Sequence, residues 1–473
     1  METKKKVAYF YNNEIGNYNY GKLHLMNPKR ISMTHSLIVG YGVYKDLDVY
    51  TTREATKEEI MQFHDQDYVE YLSNYVSSSK IDFLKKNGCS IPLIDEDAKN
   101  DSDKKKQYGI DVQADCPGFD GLYTFSQLST GGGSIDAAHL IINNAADIAI
   151  NWGGGLHHAK KGEAYGFCYV NDIVICILEL LKVFPRVLYI DIDVHHGDGV
   201  EEAFYTTNRV MTVSFHEFGE DFFPGTGGLN SNGEGLGKNY AVNVPLRPGM
   251  DDESYVQLFK NVMNKVMEVY RPDVVVFQTG ADSLANDKIG HFNLSIKGHG
   301  QCLTYMMGFN VPLVVLGGGG YTIQNVSRCW AFETGLLVKK SLNGPIPVDD
   351  PFFHLYEKQN VLHVPIQQVE NKNSKEDLNK IQEEIFKQLK DVEAAPGVPF
   401  HTVPRTFLYD DEEYFDEHEM DKNHDYDGNN YDQDKLNDYI NGYHQMDIEQ
   451  NDQNEIIRKS PLLIEKRNKF NHI

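Results

Sequence analysis

The sequence has 6 cysteines and not one CxxC pair. Cys89, Cys116, Cys168, Cys176, Cys302 and Cys329 are scattered. That spacing offers neither a zinc finger nor a disulfide framework, and a reducing, intracellular setting is expected. No apolar run is long enough to cross a bilayer. The start, "METKKKVAYFYNN", has charge but no long apolar stretch behind it, so no signal peptide is expected. Positive charge is scarce, with 45 lysines and arginines against 69 aspartates and glutamates, a formal net charge of -24. A chain this acidic repels phosphate backbones, which argues against direct nucleic-acid binding, and attracts lysine-rich peptides. There is no internal repeat.

What is present is a large core. Of 473 residues, 41% are hydrophobic. The runs "VAYFY", "DIAINW", "RVLYIDID", "VMTVSFH", "DVVVFQT" and "VPLVVLG" are β-branched and nearly continuous, as expected for strands buried on both faces. Between them, "DIVICILELLKV" and "YVQLFKNVMNKVMEVY" repeat apolar residues at three- and four-residue spacing. The alternation predicts an α/β fold with a single doubly wound, mostly parallel sheet flanked by helices. A later helix is expected with Leu378, Ile381, Ile385, Leu389 and Val392 on one face and Ser374 at its start. The polar stretch 95–107 reads as a flexible surface loop. Residues 405–473 read as an acidic, disordered tail whose basic end, "RKSPLLIEKRNKF", is either a solvated terminus or a nuclear-import patch.

Open α/β sheets bind ligands beyond the carboxyl ends of their strands. Here five strands run into "GGGLHHAKKGEAYGF", "VHHGDG", a segment ending "DFFPGTGG", "ADSL" and "GGGY". Asp193 and His195 are two apart, which on a strand puts them on one face, and Asp282 follows another strand. Three protein ligands with an open position are the pattern of a catalytic zinc site. Two carboxylates and one imidazole also suit Fe²⁺ or Mn²⁺. A metal-free Asp–His hydrogen-bond network is the plainer alternative. His157 and His158 form a tandem pair that needs partners, and Asp191 and Asp198 are at hand to fix their tautomers. The two imidazoles then share general-base and general-acid roles. Tyr321, after four glycines, is a phenol donor for a developing oxyanion.

These motifs, together with "DCPGFDGLYTFSQLSTGG", "FCYVNDI" and "RVMTVSFH", closely resemble the class I zinc-dependent histone deacetylases, from about residue 7 to about residue 400. The resemblance implies a catalytic domain over 1–404 and a metal-dependent amidohydrolase that releases acetate from N6-acetyl-lysine on histone tails. It implies Asp193, His195 and Asp282 as ligands of one Zn²⁺, with Fe²⁺ as the alternative. His157, His158, Asp191, Asp198 and Tyr321 are then the catalytic groups. Asp115, Gly166, Phe167, Phe223 and Ile289 would bind substrate at the rim and walls of a narrow tunnel. Structural K⁺ is implied at backbone oxygens around Asp191, Asp193, His195, Ser214 and Phe215, and again near Phe204, Thr207, Val210 and Tyr240. Corepressor subunits are the implied partners, and the nucleus, or else the cytoplasm, the implied location. A deacylase of acetylated polyamines and a non-catalytic chromatin scaffold are the alternatives.

The chain also departs from the pattern. Related binuclear manganese hydrolases need an acid two residues beyond the position of Asp282. Leu284 stands there, which predicts a single catalytic metal. The positions matching the family's inositol-phosphate pocket are Asn19, Leu23, Asn27, Lys288 and Gln324, of which one is cationic. Inositol-phosphate binding is therefore expected to be weak or absent. Ile289 replaces a common leucine, and "STGGGS" carries one glycine more than the family pattern.

Overall fold

Eight parallel strands form one sheet in the order β2-β1-β3-β8-β7-β4-β5-β6 in the computed structural model. They are β1 Val7–Tyr11, β2 Asp48–Thr51, β3 Ile148–Asn151, β4 Val187–Asp191, β5 Val210–Glu217, β6 Ala241–Leu246, β7 Val274–Gln278 and β8 Leu313–Leu316. The structure describes residues 5–76, 86, 101–111, 115–219, 221–366 and 368–392. The proposed domain end at 404, the tail 405–473, Cys89 and residues 95–100 lie outside them. Among the described residues no helix is long and apolar enough to cross a membrane, and the five described cysteines form no disulfide.

The continuous apolar strands are continuous because both faces are covered. Successive residues alternate between two cores. In β4, Leu188 and Ile190 join one cluster, and Val187 and Tyr189 the other. β7 divides in the same way, with Val275 and Phe277 on one side and Val274 and Val276 on the other. Helices Asp136–Ile142, Asp172–Leu180 and Asp198–Phe204 pack mainly on the second face. Helices Lys29–Gly40, Asp252–Tyr270, Ile296–Met307, Ile323–Leu337 and Lys375–Lys390 pack on the first. Each fully buried aliphatic side chain contributes about 1.5–3 kcal/mol, so the central strands carry much of the burial that stabilises the sheet.

The chain passes from β3 to β4, continues to the β6 edge, then returns through β7 and β8 to rejoin β3. That reversal is a topological switch point, and the carboxyl ends of β3, β8, β7 and β4 line up there.

Three local readings change. The strand holding "YIDID" ends at Asp191, so Asp193 and His195 lie just beyond it rather than on it. The Asp191 carboxylate accepts the Asp193 N–H at 3.0 Å. Asp193 in turn accepts the His195 N–H at 3.0 Å. Two successive Asx-type turns, not a strand pleat, therefore bring these side chains together. Within the stretch 95–107, Asp101–Gln107 is a short helix rather than loop. Lys104, Lys105 and Lys106 occupy its last turn, where cations complement the helix dipole. Just past the helix, Tyr108 and Ile110 are buried and anchor the chain to the core. The glycine-rich "STGGGSI" is a π-helical turn, Ser129–Ile135, between two α-helices. A π-turn accommodates one extra residue without ending the helix, which accounts for the additional glycine. At the far end, Ser374 accepts the Asp377 N–H at 3.1 Å, starting the expected helix Lys375–Lys390.

Candidate active site

Residues following the four central strands converge. Asp193 follows β4, Asp282 follows β7, Tyr321 follows β8, and His157 and His158 follow β3. His195 Nδ1 lies 3.1 Å from Asp193 Oδ1 and 3.2 Å from Asp282 Oδ2. The ligand atoms of these three residues fall within 4.8 Å of one another, and all three residues are buried. Each carboxylate is held from behind. The second oxygen of Asp193 accepts from Gln278 Nε2 at 2.9 Å and from the Gly319 N–H at 2.8 Å. Asp282 Oδ1 accepts the Val194 N–H at 2.9 Å. The loops approach so closely that a Cβ on Gly280 would stand 2.1 Å from Asp193 Oδ2, and one on Gly319 would stand 1.9 Å from Asp282 Oδ2.

The electrostatics favour a cation. Burial and the charge of Asp193 raise the Asp282 carboxyl above the usual carboxylate range. Burial opposes charge on His195, yet its hydrogen bonds with Asp193 and Asp282 lift it to about 10. A pocket that raises an imidazole this far selects positive charge. Two carboxylate oxygens and one imidazole nitrogen, fixed by backbone N–H groups, form a donor set that fits one divalent metal ion. Leu284, where a second bridging acid would stand, is buried in the apolar core instead.

The histidine pair sits beside this cluster. His157 Nδ1 meets Asp191 Oδ2 at 2.7 Å, and the same oxygen accepts the Tyr189 hydroxyl at 2.6 Å. His158 Nδ1 meets Asp198 Oδ1 at 2.6 Å, with Lys160 Nζ on the other oxygen at 2.7 Å. The two rings are 3.9 Å apart between centroids. Burial disfavours charge on both. The carboxylates of Asp191 and Asp193 nevertheless raise His157 to about 9, whereas burial and the neighbouring His157 hold His158 down at about 3. Tyr321 is pushed well above the usual phenol range by burial and by Asp282 and Asp193. It therefore keeps its proton as a donor.

The residues matched to tunnel walls also gather here. Phe223 stands edge-on to His158 at 5.0 Å, and Phe167 edge-on to Tyr321 at 5.7 Å. Asp115 Oδ2 accepts the Gly166 N–H at 3.0 Å, holding the turn before Phe167. Ile289, partly buried, is joined to Tyr321 through Asp287. Phe222, not singled out in the sequence, stacks flat on His195 at 5.2 Å. At the positions the resemblance marks for K⁺, Asp191 and Ser214 are paired partners on β4 and β5, and the Tyr240 carbonyl accepts the Thr212 N–H at 2.9 Å. Of the five inositol-phosphate positions, Asn19, Leu23, Asn27 and Lys288 are exposed and Gln324 is partly buried. Asn19 and Asn27 spend their side-chain oxygens on the N–H groups of Gly21 and Lys29.

Sequence reasoning missed several supports. Arg30 donates to Gly320 O at 2.8 Å and to Gly318 O at 2.6 Å. It thereby holds the glycine loop before Tyr321 while lying over Trp330. Nothing local in "NPKRI" marks it. Gln278 carried a legible signal, a polar residue ending an apolar strand. Asp172, inside the quoted "YVNDI" run, accepts the Leu156 N–H at 2.8 Å and fixes the loop leading to the histidines.

A family model described as "Histone deacetylase domain" matches residues 24–337. The chain is 48% identical over 402 residues to "Histone deacetylase 1" of Homo sapiens, covering 85% of this chain and 79% of that protein. It is 49% identical over 410 residues to "Type-1 histone deacetylase 1" of Dictyostelium discoideum, covering 86% and 78% respectively. With a matching domain set on the parallel sheet and site described above, the chain belongs to the histone deacetylase family, in its class I branch.

Proposed function

We propose that this chain hydrolyses N6-acetyl-lysine on histone tails, using one divalent cation, Zn²⁺ or alternatively Fe²⁺, held by Asp193, His195 and Asp282. The observation that carries the reading is the meeting of that three-ligand cluster with the His158–Asp198 pair and a protonated Tyr321 in one buried site. The cation, when bound, supplies Lewis-acid polarisation of the amide carbonyl and acidifies water.

The side chains perform the remaining work. Asp115 holds the substrate backbone at the rim. Gly166, Phe167, Phe223 and Ile289 line a passage for the four-methylene stem. His158 Nε2, left free because Nδ1 is committed to Asp198, accepts the proton of the attacking water. The Tyr321 hydroxyl donates to the oxyanion that forms at the acyl oxygen. His157, its Nδ1 committed to Asp191, stands beside His158 as the second imidazole of the pair. As the C–N bond breaks, the proton on His158 passes to the lysine nitrogen, and lysine and acetate leave. Structural K⁺ at the backbone oxygens near Ser214 and Tyr240, corepressor subunits as partners and a nuclear location complete the proposal. The inositol-phosphate positions supply one cation, which disfavours a polyanion there.

The test is turnover of an acetylated histone-tail peptide beside an acetylated polyamine. The reading expects the peptide to be hydrolysed, and activity to vanish in His158→Ala and Asp193→Asn. Preference for the polyamine would redirect the substrate assignment, and full activity in both variants would reject the mechanism.

A further inference from the structure

Asp287 is bound to the backbone of two loops at once. Its Oδ2 accepts the N–H of Tyr321 at 2.7 Å and of Thr322 at 3.3 Å. Its Oδ1 accepts the N–H of Ile289 at 3.0 Å and of Gly290 at 3.3 Å. Four backbone donors on one half-buried carboxylate form a bracket, and charge-assisted bonds of this kind are the stronger class. The bracket joins the segment that leaves β7, which carries Asp282, to the segment that leaves β8, which carries Tyr321. Two flanking bonds reinforce the seam. Thr322 Oγ1 donates to Asn286 O at 2.8 Å, and Asn325 Nδ2 donates to Ala285 O at 3.4 Å.

The loop before Tyr321 needs such a restraint. Gly318 and Gly320 both have positive φ, 144° and 124°, so the backbone there is intrinsically permissive. Arg30 grips the carbonyl side of this glycine run, and Asp287 grips the N–H side at Tyr321 itself. Thr322 is also the N-cap of helix Ile323–Leu337 and makes no side-chain cap bond. The carboxylate thus lies at the positive end of that helix, a favourable place for negative charge.

We infer that Asp287 is a positioning residue that sets the Tyr321 hydroxyl against the reacting acyl group and, through Ile289, fixes one wall of the passage. The inference rests on the reading of Tyr321 as the oxyanion donor. Asp287 does not touch the reacting atoms. Its effect passes through the phenol, whose placement to within about 1 Å decides rate by as much as roughly 100-fold.

A double-mutant cycle on the full chain tests this with steady-state kinetics on an acetyl-lysine peptide. Tyr321→Phe alone should lower kcat roughly 10²–10³-fold. Asp287→Ala alone should lower kcat roughly 10–100-fold with a smaller change in KM. Added to Tyr321→Phe, Asp287→Ala should cost little more, because its route of action is already gone. Asp287→Asn keeps the shape and one acceptor oxygen, so it should fold as the parent does and lose less. Undiminished cost of Asp287→Ala in the Phe background, or unchanged kcat in both Asp287 variants, would overturn the positioning role. Unchanged kcat in Tyr321→Phe would instead overturn the oxyanion reading, and those two failures are told apart by the single variants.

Discussion

Lys160 Nζ lies 2.7 Å from one oxygen of Asp198, while the other oxygen lies 2.6 Å from His158 Nδ1. The carboxylate is pinned from both sides, so the imidazole has one tautomer and one orientation, with Nε2 directed away from Asp198. Burial opposes the Asp198 charge, but His158 and Lys160 outweigh it and hold the carboxyl well below its usual range. It stays ionised throughout the working pH range.

Asp198→Asn removes that charge while keeping the shape. The amide can present an N–H to His158 and favour the wrong tautomer. We expect kcat to fall roughly 10²–10⁴-fold, the scale of lost general-base catalysis, with KM little changed. Steady-state kinetics on a peptide substrate measures this. A loss confined to KM would mean that the pair positions substrate rather than moves a proton.

His64 makes the protein acid-sensitive. Its Nδ1 faces Lys161 O at 3.1 Å, and its Nε2 accepts the Asn171 N–H at 2.9 Å. Both nitrogens are committed to the neutral ring, and burial lowers the pKa to about 4. The unfolded chain takes up this proton near pH 6.5, so between about 6.5 and 4 it binds more protons than the folded one. Stability therefore falls as pH drops through that window, by on the order of 3 kcal/mol from this residue. Urea titrations at pH 7.5, 6 and 5 should show the decline, and His64→Gln should make it shallower, with the buried His35 and His158 still contributing. An equal slope in the variant would assign the acid sensitivity elsewhere.

Ile190 is fully buried in β4, with Val213 and Phe277 as its partners on the neighbouring strands. Replacing it by alanine opens a cavity in the core on the first face of the sheet. The expected cost is about 2–5 kcal/mol, read as a lower urea midpoint with unchanged slope. A loss under about 1 kcal/mol would mean that the central sheet tolerates collapse there.

Leu23 is 96% exposed and, with Asn19 and Asn27, matches positions that the resemblance marks for an inositol-phosphate pocket. Titrating the chain and a corepressor partner with inositol tetrakisphosphate should leave deacetylation unchanged. Potent activation would show that other cations complete such a pocket.

Much of this site was legible because polar residues interrupt apolar runs at the carboxyl ends of strands. Asp193, Asp282, His157 and Tyr321 were each visible that way. The edge strands were harder to read. Asp48–Thr51 has four residues, only one of them buried, and Ala241–Leu246 is broken by Asn243 and Pro245. The short helix Asp101–Gln107 has no apolar periodicity to betray it. Supports acting across long separations left no local trace, since Arg30 and Gly320 are 290 residues apart. The turn geometry joining Asp193 to His195 depends on side chain–backbone hydrogen bonds, which a period-of-two reading does not contain.

The central claim is that Asp193, His195 and Asp282 hold one divalent cation on which hydrolysis depends. Elemental analysis of the purified chain, run beside a peptide deacetylation assay before and after chelation, tests it most directly. One divalent ion per chain is expected, with activity lost on its removal and restored by its return, and both ion and activity absent in Asp282→Ala. Full turnover by the metal-free chain, or an undiminished ion content in Asp282→Ala, would contradict the account.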